Sequence, residues 1–545
     1  LVAGALVAQG GDAAAFDHLF GEPGVQGSFR ARFAKPGGGL VSLWATDHYT
    51  SYAVGQKDKH EPGDWLLLAW NGSDHALRLQ LAQPTAAFPV DPSTAPWTVD
   101  AQPGVVTFTL AANGLELVKV VRHDPQLRGF QLEFALRNVS STATGSLDFV
   151  WLGPAPVCPT EAGLFGTLSG SIAAATDGTA VFKKPTESGE LVLEGKPLSF
   201  AGSSNRFFGM FLVPRDDAAR TALGSLTVDT VPAVAEPSLN VAAASSTRLR
   251  AGLRLAVPAA GSETRVAYGF YCGPKSNRVF ATLPEAERTR FAAILDHDLN
   301  APCCVIEMPG GRPMAKLLLW LLGIFHDVVG NWGVAIMMLT ILVRGLLAPL
   351  NFRMQKSMRA YGKKMAVLKP KLDALKQQFG DDQRGYQQAM IAFQREHKLM
   401  PPLGGCLPIF LTMPIYIGLF TALRVAYDVR QQPFFGWMHD LSVPDHLFTL
   451  PFWPGSVNLL PVLWIVMMVF QTLRTPLPND PQQRQTMQIM RYMPLIFGVM
   501  LYHYAAALLV YMVTSMLWSL VEMTITRRIL GPIDGDAAVY APQTM

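Results

Sequence analysis

Cysteine and charged side chains are both scarce in this 545-residue chain, and each shortage excludes a class of protein. There are 5 cysteines and no CxxC pair, so neither a disulfide framework nor a zinc site is expected. Charged residues make up 16% of the chain and leave a net charge of +4, which does not indicate a nucleic-acid-binding protein. The hydrophobic residues, 50% of the total, form long runs only after residue 314, which predicts at least two domains of different composition.

Motifs for nucleotide or metal chemistry are equally scarce. Residues 189–196 (GELVLEGK) imitate a phosphate-binding loop, but the spacing is one residue too long and Pro197 replaces the Ser or Thr that would hold magnesium. Asp296, His297 and Asp298 suggest metal ligands, yet no further ligand lies nearby in the sequence, and a solvated helix face is the better interpretation. We therefore expect no cofactor, no metal site and no enzymatic activity.

The first half of the chain has the pattern of β-structure. Residues 1–20 are interpreted as a flexible leader or as the remnant of a truncated signal anchor. Residues 21–275, the β-domain, contain many short apolar runs separated by turn residues, and the segment 130–139 (FQLEFALRNV) alternates as a half-buried strand does. Asn113-Gly114 separates two such runs and predicts a tight hairpin. The pattern predicts a large antiparallel β-sandwich.

The second half has the pattern of a helical membrane domain. Residues 276–313 are predicted to be a connecting helix and linker, and residues 314–530 to be the membrane domain. An amphipathic interfacial helix is expected at 314–329, and a helical hairpin with a heptad seam at 355–399. Five spans are predicted, at about 331–352, 408–427, 457–473, 489–503 and 505–526.

The unequal distribution of lysine and arginine between the loops predicts which side of the membrane each segment faces. Residues 353–399 carry eleven Lys and Arg against four acids, whereas the loop at 428–456 has only Arg430. Positive charge marks the cytoplasmic side, so the hairpin and the tail at 531–545 are expected to be cytoplasmic and the β-domain extracytoplasmic.

One guanidinium lies inside the first predicted span. At about 1.5 Å per residue, Arg344 is about 18 Å from Trp332 and about 13 Å from Arg353 along the helix. A cation at this depth costs at least about 2.5–3.5 kcal/mol, so it should face a wet cavity or a partner rather than lipid. An arginine that snorkels or pairs within a helix bundle is the alternative, but a carboxylate partner is hard to find in the other predicted spans.

Several segments of the membrane domain resemble the YidC family of membrane protein insertases. They are MMLTILVRGLLAPL, LKPKLDALKQQFGDD, PLGGCLPIFLTMPIYIGLF and MRYMPLIF, and the order of the elements is similar as well. The resemblance is strong over 314–528 and weak in the β-domain. Pro401, Met512 and the turn at 504–507 depart from the family pattern.

The resemblance implies a hydrophilic groove that opens to the cytoplasm and to lipid, with Arg344 as its positive centre and without a permanent counter-ion. Thr340, one turn before Arg344 on the same helix face, would be solvated together with it. The other polar residues expected in the groove are Thr412, Gln471, Tyr511, Thr514, Ser515 and Ser519.

The function implied by the resemblance is insertion and assisted folding of inner-membrane proteins, alone or with the Sec translocon. The implied partners are nascent membrane proteins, the lipid bilayer, and the translating ribosome with the signal-recognition machinery, without sequence-specific binding of nucleic acid. The implied location is the cell inner membrane, with the β-domain in the periplasm.

Two other classes of protein remain open as alternatives. A small-anion transporter or channel would use the same arginine, and an inverted sequence repeat would favour it. A membrane-anchored carbohydrate-binding envelope protein is the other alternative, which paired carboxylates in a cleft of the β-domain would support.

Overall fold

A large β-rich unit is followed by a helical one, which confirms the predicted order. The computed structural model describes the residues 15–70, 75–83, 85–139, 144–154, 170–231, 246–300, 311–379, 383–396, 407–451, 455–473, 492–493 and 495–530. The chain divides into two compact units, residues 1–301 with 425–428 and residues 302–424 with 429–545. Most of the predicted leader and the whole predicted tail lie outside the described residues.

The first unit is built from antiparallel sheets with short helices. Its strands are β1 (Ala15–Phe20), β2 (Phe29–Ala34), β3 (Leu40–Tyr49), β4 (Trp65–Trp70), β5 (Leu79–Leu81), β6 (Thr98–Gln102), β7 (Val105–Ala112), β8 (Leu115–Asp124), β9 (Gly129–Asn138), β10 (Ser146–Leu152), β11 (Gly170–Ala175), β12 (Ala180–Lys183), β13 (Gly189–Glu190), β14 (Leu198–Ser204), β15 (Phe208–Pro214), β16 (Leu223–Val231), β17 (Ser246–Ala256) and β18 (Glu263–Pro274). Its helices are α1 (Tyr52–Gly55), α2 (Asp217–Ala222), α3 (Asn277–Phe280) and α4 (Glu285–Asn300).

Three sheets share the strands of this unit. Their orders are β1-β2-β3-β4, then β13-β16-β17-β10-β5, and a nine-stranded sheet β12-β11-β14-β15-β18-β9-β8-β7-β6. Side chains on both faces of the nine-stranded sheet are buried. On β18, Phe270 and Cys272 point into the core shared by the sheets, whereas Tyr271 points into a second core against α4. Neighbouring strand residues point to opposite faces, so one strand serves both cores.

The predicted hairpin at Asn113-Gly114 is confirmed. Strands β7 and β8 pair in register on either side of it, with Ala112 opposite Leu115. Asn113 has φ 49° and Gly114 has φ 74°, the positive angles that a two-residue turn requires at both central positions. Asparagine and glycine adopt these angles at lower cost than other residues, which is why the dipeptide predicts the turn.

An ionisable lysine is enclosed in the first core. Lys119 on β8 is 1% exposed, and its Nζ donates hydrogen bonds to the carbonyl oxygens of Gly38 and, at 3.1 Å, of Leu77. Nζ also lies 4.4 Å from the centre of the Phe108 ring. Burial lowers the pKa of Lys119 to about 7, because desolvation penalises the charged ammonium and no described carboxylate pairs with it.

A buried ion pair attaches α4 to the end of β18. Lys275 Nζ lies 2.7 Å from Asp298 Oδ2, and the two side chains are 1% and 2% exposed. His297, the preceding residue, stacks on Phe182 with ring centres 3.8 Å apart. The prediction that residues 296–298 form a solvated helix face is therefore wrong for His297 and Asp298. Helix position alone could not reveal this, because Lys275 comes from another element.

The second unit is helical. Its helices are α5 (Gly311–Val329), α6 (Trp332–Phe379), α7 (Gln383–Glu396), α8 (Leu407–Val425), α9 (Leu459–Leu473) and α10 (Ala506–Leu530), and residues 495–501 are helical as well. A two-residue strand pair, β19 (Phe448–Thr449) with β20 (Ser456–Val457), and a 3-10 turn at Tyr427–Val429 lie between α8 and α9. Segments Trp332–Ser357 and Ala506–Leu530 are long and apolar enough to cross a membrane, and Met413–Val425 and Leu459–Leu473 are shorter apolar helices.

Helix α6 joins two elements that the sequence analysis separates. It has 48 residues and continues through Pro349 and Pro370, so the predicted first span and the first arm of the predicted hairpin form one helix. At about 1.5 Å per residue, this length is about 70 Å, more than twice the apolar thickness of a bilayer.

The last helix begins at a turn that the loop before α9 stabilises. Asn458 Nδ2 donates to the carbonyl oxygen of Tyr502 at 2.8 Å, and the amide of Ala506 donates to the carbonyl oxygen of Val443 at 2.7 Å. A turn at residues 502–504 separates the helical residues 495–501 from α10, close to the boundary between the last two predicted spans. Partners in the loop satisfy backbone groups at the start of α10, although the turn lacks the residues typical of the family.

Raising the pH from 7 to 9 is expected to stabilise the β-domain through Lys119 by about 2 kcal/mol. The folded pKa is about 7, whereas an unfolded lysine has a pKa of about 10.4, so the unfolded chain binds more protons throughout this interval. Urea unfolding of the intact chain in detergent, followed by tryptophan fluorescence at both pH values, measures the effect.

The variant Lys119→Met is the comparison for this measurement, because it retains every other titrating group. Its free energy of unfolding should rise less with pH than that of the wild type. Equal pH dependence in the two proteins would contradict the assignment of the low pKa to Lys119.

Substituting Asp298→Ala should lower the free energy of unfolding by about 3–5 kcal/mol, because it leaves the Lys275 ammonium buried without its counter-charge. The double variant Lys275→Met, Asp298→Leu should recover most of this loss. Arg254→Ala is the matched control, because Arg254 pairs with Asp148 at 2.6 Å while 69% exposed, and little change is expected there. If thermal unfolding shows a larger loss of stability for Arg254→Ala than for Asp298→Ala, the argument is refuted.

Candidate functional site

The guanidinium of Arg344 lies between helices of the second unit. Arg344 Nε donates to Ser515 Oγ at 2.9 Å, and a terminal guanidinium nitrogen donates to the same oxygen. Ser515 is 5% exposed and lies on α10, 171 residues further along the chain. The contact therefore depends on the packing of α6 against α10.

Two tyrosines complete the surroundings of this guanidinium. Its central carbon lies 5.2 Å from the centre of the Tyr416 ring on α8, a cation–π arrangement. Tyr416 and Tyr511 have ring centres 6.2 Å apart, and Tyr511 is 7% exposed. We refer to Arg344, Tyr416, Tyr511 and Ser515 as the Arg344 cluster. It joins residues of α6, α8 and α10.

The neighbouring hydroxyls are satisfied within their own helices. Thr340 is 1% exposed and donates to the carbonyl oxygen of Ile336 at 2.7 Å, which contradicts the expectation that it is solvated together with Arg344. Thr514 is 6% exposed and donates to the carbonyl oxygen of Val510 at 2.7 Å. Such bonds to the carbonyl four residues earlier are common for Ser and Thr in helices. These two threonines contribute no hydroxyl to the Arg344 cluster.

The remaining candidates occupy different positions. Ser519 is partly exposed one turn beyond Ser515, and its hydroxyl donates to the Ser515 carbonyl oxygen at 3.0 Å. Gln471 is partly exposed near the end of α9. Thr412 lies within α8, but its side chain is outside the described part of the chain. Of the eight predicted residues, the structure brings Arg344, Tyr511 and Ser515 into one cluster.

Tyr416 and Glu522 are two neighbours of Arg344 that the sequence analysis does not identify. Tyr416 lies in the quoted segment PIYIGLF, where the apolar neighbours of an aromatic residue indicate packing alone. Glu522 lies on α10, where its charge interacts with that of Arg344. The sequence analysis therefore overlooked a carboxylate on α10, although this carboxylate forms no ion pair with Arg344. The available signal was the seven-residue spacing of Ser515 and Glu522, which puts them on one helix face.

The electrostatic state of Arg344 follows from these contacts. Among the residues that the structure describes, Arg344 forms no ion pair, and its contacts are a hydroxyl oxygen and the face of an aromatic ring. These groups orient the guanidinium without neutralising it, and the charge of Glu522 acts on it without forming an ion pair. The cluster is therefore suited to transient attraction of an anionic group. Within the described ranges, no three His, Cys, Asp or Glu side chains are grouped as metal ligands would be.

Residues 324–532 match the family described as the 60Kd inner membrane protein, so the match includes all of α6 to α10. A Neisseria gonorrhoeae protein named membrane protein insertase YidC is 35% identical over 268 residues, which are 49% of this chain and 43% of that protein. The protein of the same name from Aeromonas hydrophila is 42% identical over 215 residues, 39% of this chain and 36% of that protein. The chain thus spans less than half the length of these relatives.

One solved structure, described as an active YidC insertase with the first transmembrane domain resolved, is 16% identical to this chain. The match covers 91% of this chain and 90% of that one, with a TM-score of 0.34. So low a score does not bear on the arrangement of the elements described above.

Proposed function

We propose that this chain is a membrane protein insertase of the YidC family and that it also helps its clients to fold. A client is here a membrane protein in the course of insertion. The observation that carries the proposal is the Arg344 guanidinium, which forms no ion pair among the described residues and is held by Ser515 and Tyr416 within largely apolar helices. Such a charge is costly to keep in a membrane and is usually functional.

The mechanism that we propose requires no bond chemistry. A hydrophilic groove shortens the hydrocarbon barrier that a polar segment of the client must cross. The Arg344 guanidinium attracts acidic groups of that segment, and this attraction is stronger in a partly dry groove than in bulk water. The apolar segment of the client then moves sideways into lipid, because its transfer from the groove to the bilayer is favourable.

The polar lining of the groove is also part of the proposal. Arg344, Ser515, Tyr511 and Tyr416 form its centre, and the partly exposed Ser519 and Gln471 are proposed to extend it. Thr412 stays a candidate from the sequence alone. Thr340 and Thr514 are omitted, because both are buried with hydroxyls bonded to their own helices.

We propose a topology of five spans in the cell inner membrane. The apolar helices α6, α8, α9 and α10 and the helical residues 495–501 support it, and the basic segment 353–399 supports a cytoplasmic position for α7. The β-domain would then be periplasmic and the C-terminus cytoplasmic. Nascent membrane proteins are the proposed clients, with the Sec translocon and the translating ribosome with its signal-recognition machinery as further partners.

Replacing Arg344 should impair insertion, with Arg344→Lys retaining more activity than Arg344→Ala. Lysine preserves the positive charge but loses the fork of donors that contacts Ser515, so an intermediate phenotype is expected. The measurement depletes the native insertase of a bacterial host, expresses each variant, and scores the insertion of a small client with an acidic translocated tail.

Arg353→Ala serves as the matched control, because Arg353 is an exposed arginine of the same helix outside the Arg344 cluster. Its activity should equal that of the wild type. If the wild-type chain fails to restore insertion, the proposed function is wrong. If Arg344→Ala equals the wild type, the charge of the groove does not contribute to insertion of that client.

A further inference from the structure

A second polar pair lies two helical turns beyond the Arg344–Ser515 contact. Asn351 of α6 hydrogen-bonds to the carboxyl of Glu522 on α10. Each of these residues is seven positions after a member of the first pair, Asn351 after Arg344 and Glu522 after Ser515. Equal spacing on the two helices means that they run parallel in register, with the pairs about 10 Å apart along the axis.

A further contact between α6 and α10 lies between the two pairs. The ring of Trp518 lies next to Gly345, where an added Cβ would be 3.8 Å from the ring. Asn351 and Glu522 therefore belong to the same interhelical seam as the Arg344 cluster, since three successive contacts along α6 meet residues of α10 in order.

The Glu522 carboxyl has unused capacity to accept hydrogen bonds. Its Oε1 oxygen is enclosed and has no hydrogen-bond partner among the described residues, whereas the residue as a whole is partly exposed. It forms no ion pair with Arg344, nor with the Arg527 and Arg528 that follow on the same helix, within the part of the chain that the structure describes. An unpaired carboxyl oxygen away from water is costly, so a cation that reached this carboxyl would be bound favourably.

Opposite charges therefore follow each other along the seam. The guanidinium of Arg344 comes first, and the carboxylate of Glu522 follows about 10 Å towards the end of α10 that carries Arg527 and Arg528. In the proposed topology this is the cytoplasmic end. Membrane proteins carry Lys and Arg in their cytoplasmic flanks, so a client whose acidic tail lies at Arg344 presents its cationic flank on this side.

We propose that Glu522 binds an ammonium or guanidinium group in the cytoplasmic flank of the client. This inference rests on the proposed insertase function and adds a residue that selects clients by charge. Asn351 is a positioning residue, because it orients the carboxyl through its amide. The groove thus recognises two charges of the client, an acidic group at Arg344 and a basic group at Glu522.

The test uses the full chain reconstituted in vesicles of phosphatidylcholine and phosphatidylglycerol, which contain no primary-amine lipid. Two single-span clients are compared that differ only in the cytoplasmic flank, one with two lysines and one with two glutamines. Glu522→Gln should reduce the ratio of lysine-client to glutamine-client insertion about fivefold, the effect of one partly exposed ion pair. Glu396→Gln, which neutralises an exposed acid on α7, is the matched control and should leave the ratio unchanged.

Charge reversal keeps the test independent of folding defects. Glu522→Lys should insert a client with two glutamates in the flank better than the lysine client, the reverse of the wild-type preference. If Glu522→Gln lowers insertion of both clients equally, and Glu522→Lys shows no reversed preference, then Glu522 has a structural role and the inference is overturned.

Two further outcomes would also overturn the inference. If Glu522 matters only when phosphatidylethanolamine is added, and equally for both clients, then the bound cation is a lipid ammonium group and not the client. If the wild-type chain inserts neither client, the proposed insertase function itself fails, a result distinguishable from equal loss in the variants.

Discussion

Placing a guanidinium among apolar helices costs free energy, and the contacts between α6, α8 and α10 around Arg344 reduce this cost. Arg344 lies within a segment of α6 long and apolar enough to span a membrane, so the neighbouring helices must supply polar contacts for it. Ser515 accepts its hydrogen bonds and Tyr416 offers the face of its ring, which links α6 to both α10 and α8. Because the hydroxyl and the ring are neutral, the charge is oriented but remains available to an anionic group.

The β-rich unit also contains buried basic side chains. Lys119 and Lys275 are both buried there, but their surroundings differ. Lys275 remains paired with Asp298, whereas Lys119 has carbonyl oxygens and an aromatic ring as neighbours and a pKa lowered to about 7. A buried amine without a counter-ion tends to lose its proton. Arg344 has a similar set of neutral partners, but a guanidinium retains its charge under conditions where an amine does not.

The sequence predicted those structural features that depend only on residues close together in the chain. The hairpin at Asn113-Gly114 follows from turn chemistry. The break in the last apolar run near residues 502–504 follows from the length of that run. The depth of Arg344 follows from its position within one helix. Asp298 and Tyr416 were misinterpreted or missed, because their roles depend on partners 23 and 72 positions away, Lys275 and Arg344. Thr340 shares a helix face with Arg344, but its hydroxyl bonds to its own helix, a choice that periodicity does not determine.

The most direct test of the central claim is whether a client in transit contacts the Arg344 cluster. A photoreactive phenylalanine analogue at Tyr416 is compared with the same analogue at Leu517, which is 49% exposed and two residues from Ser515, on the opposite side of α10. Crosslinks to a ribosome-tethered client should form at position 416 and be weak or absent at position 517. Strong crosslinking at 517 with none at 416 would contradict the proposal that the polar segment of the client passes through this groove.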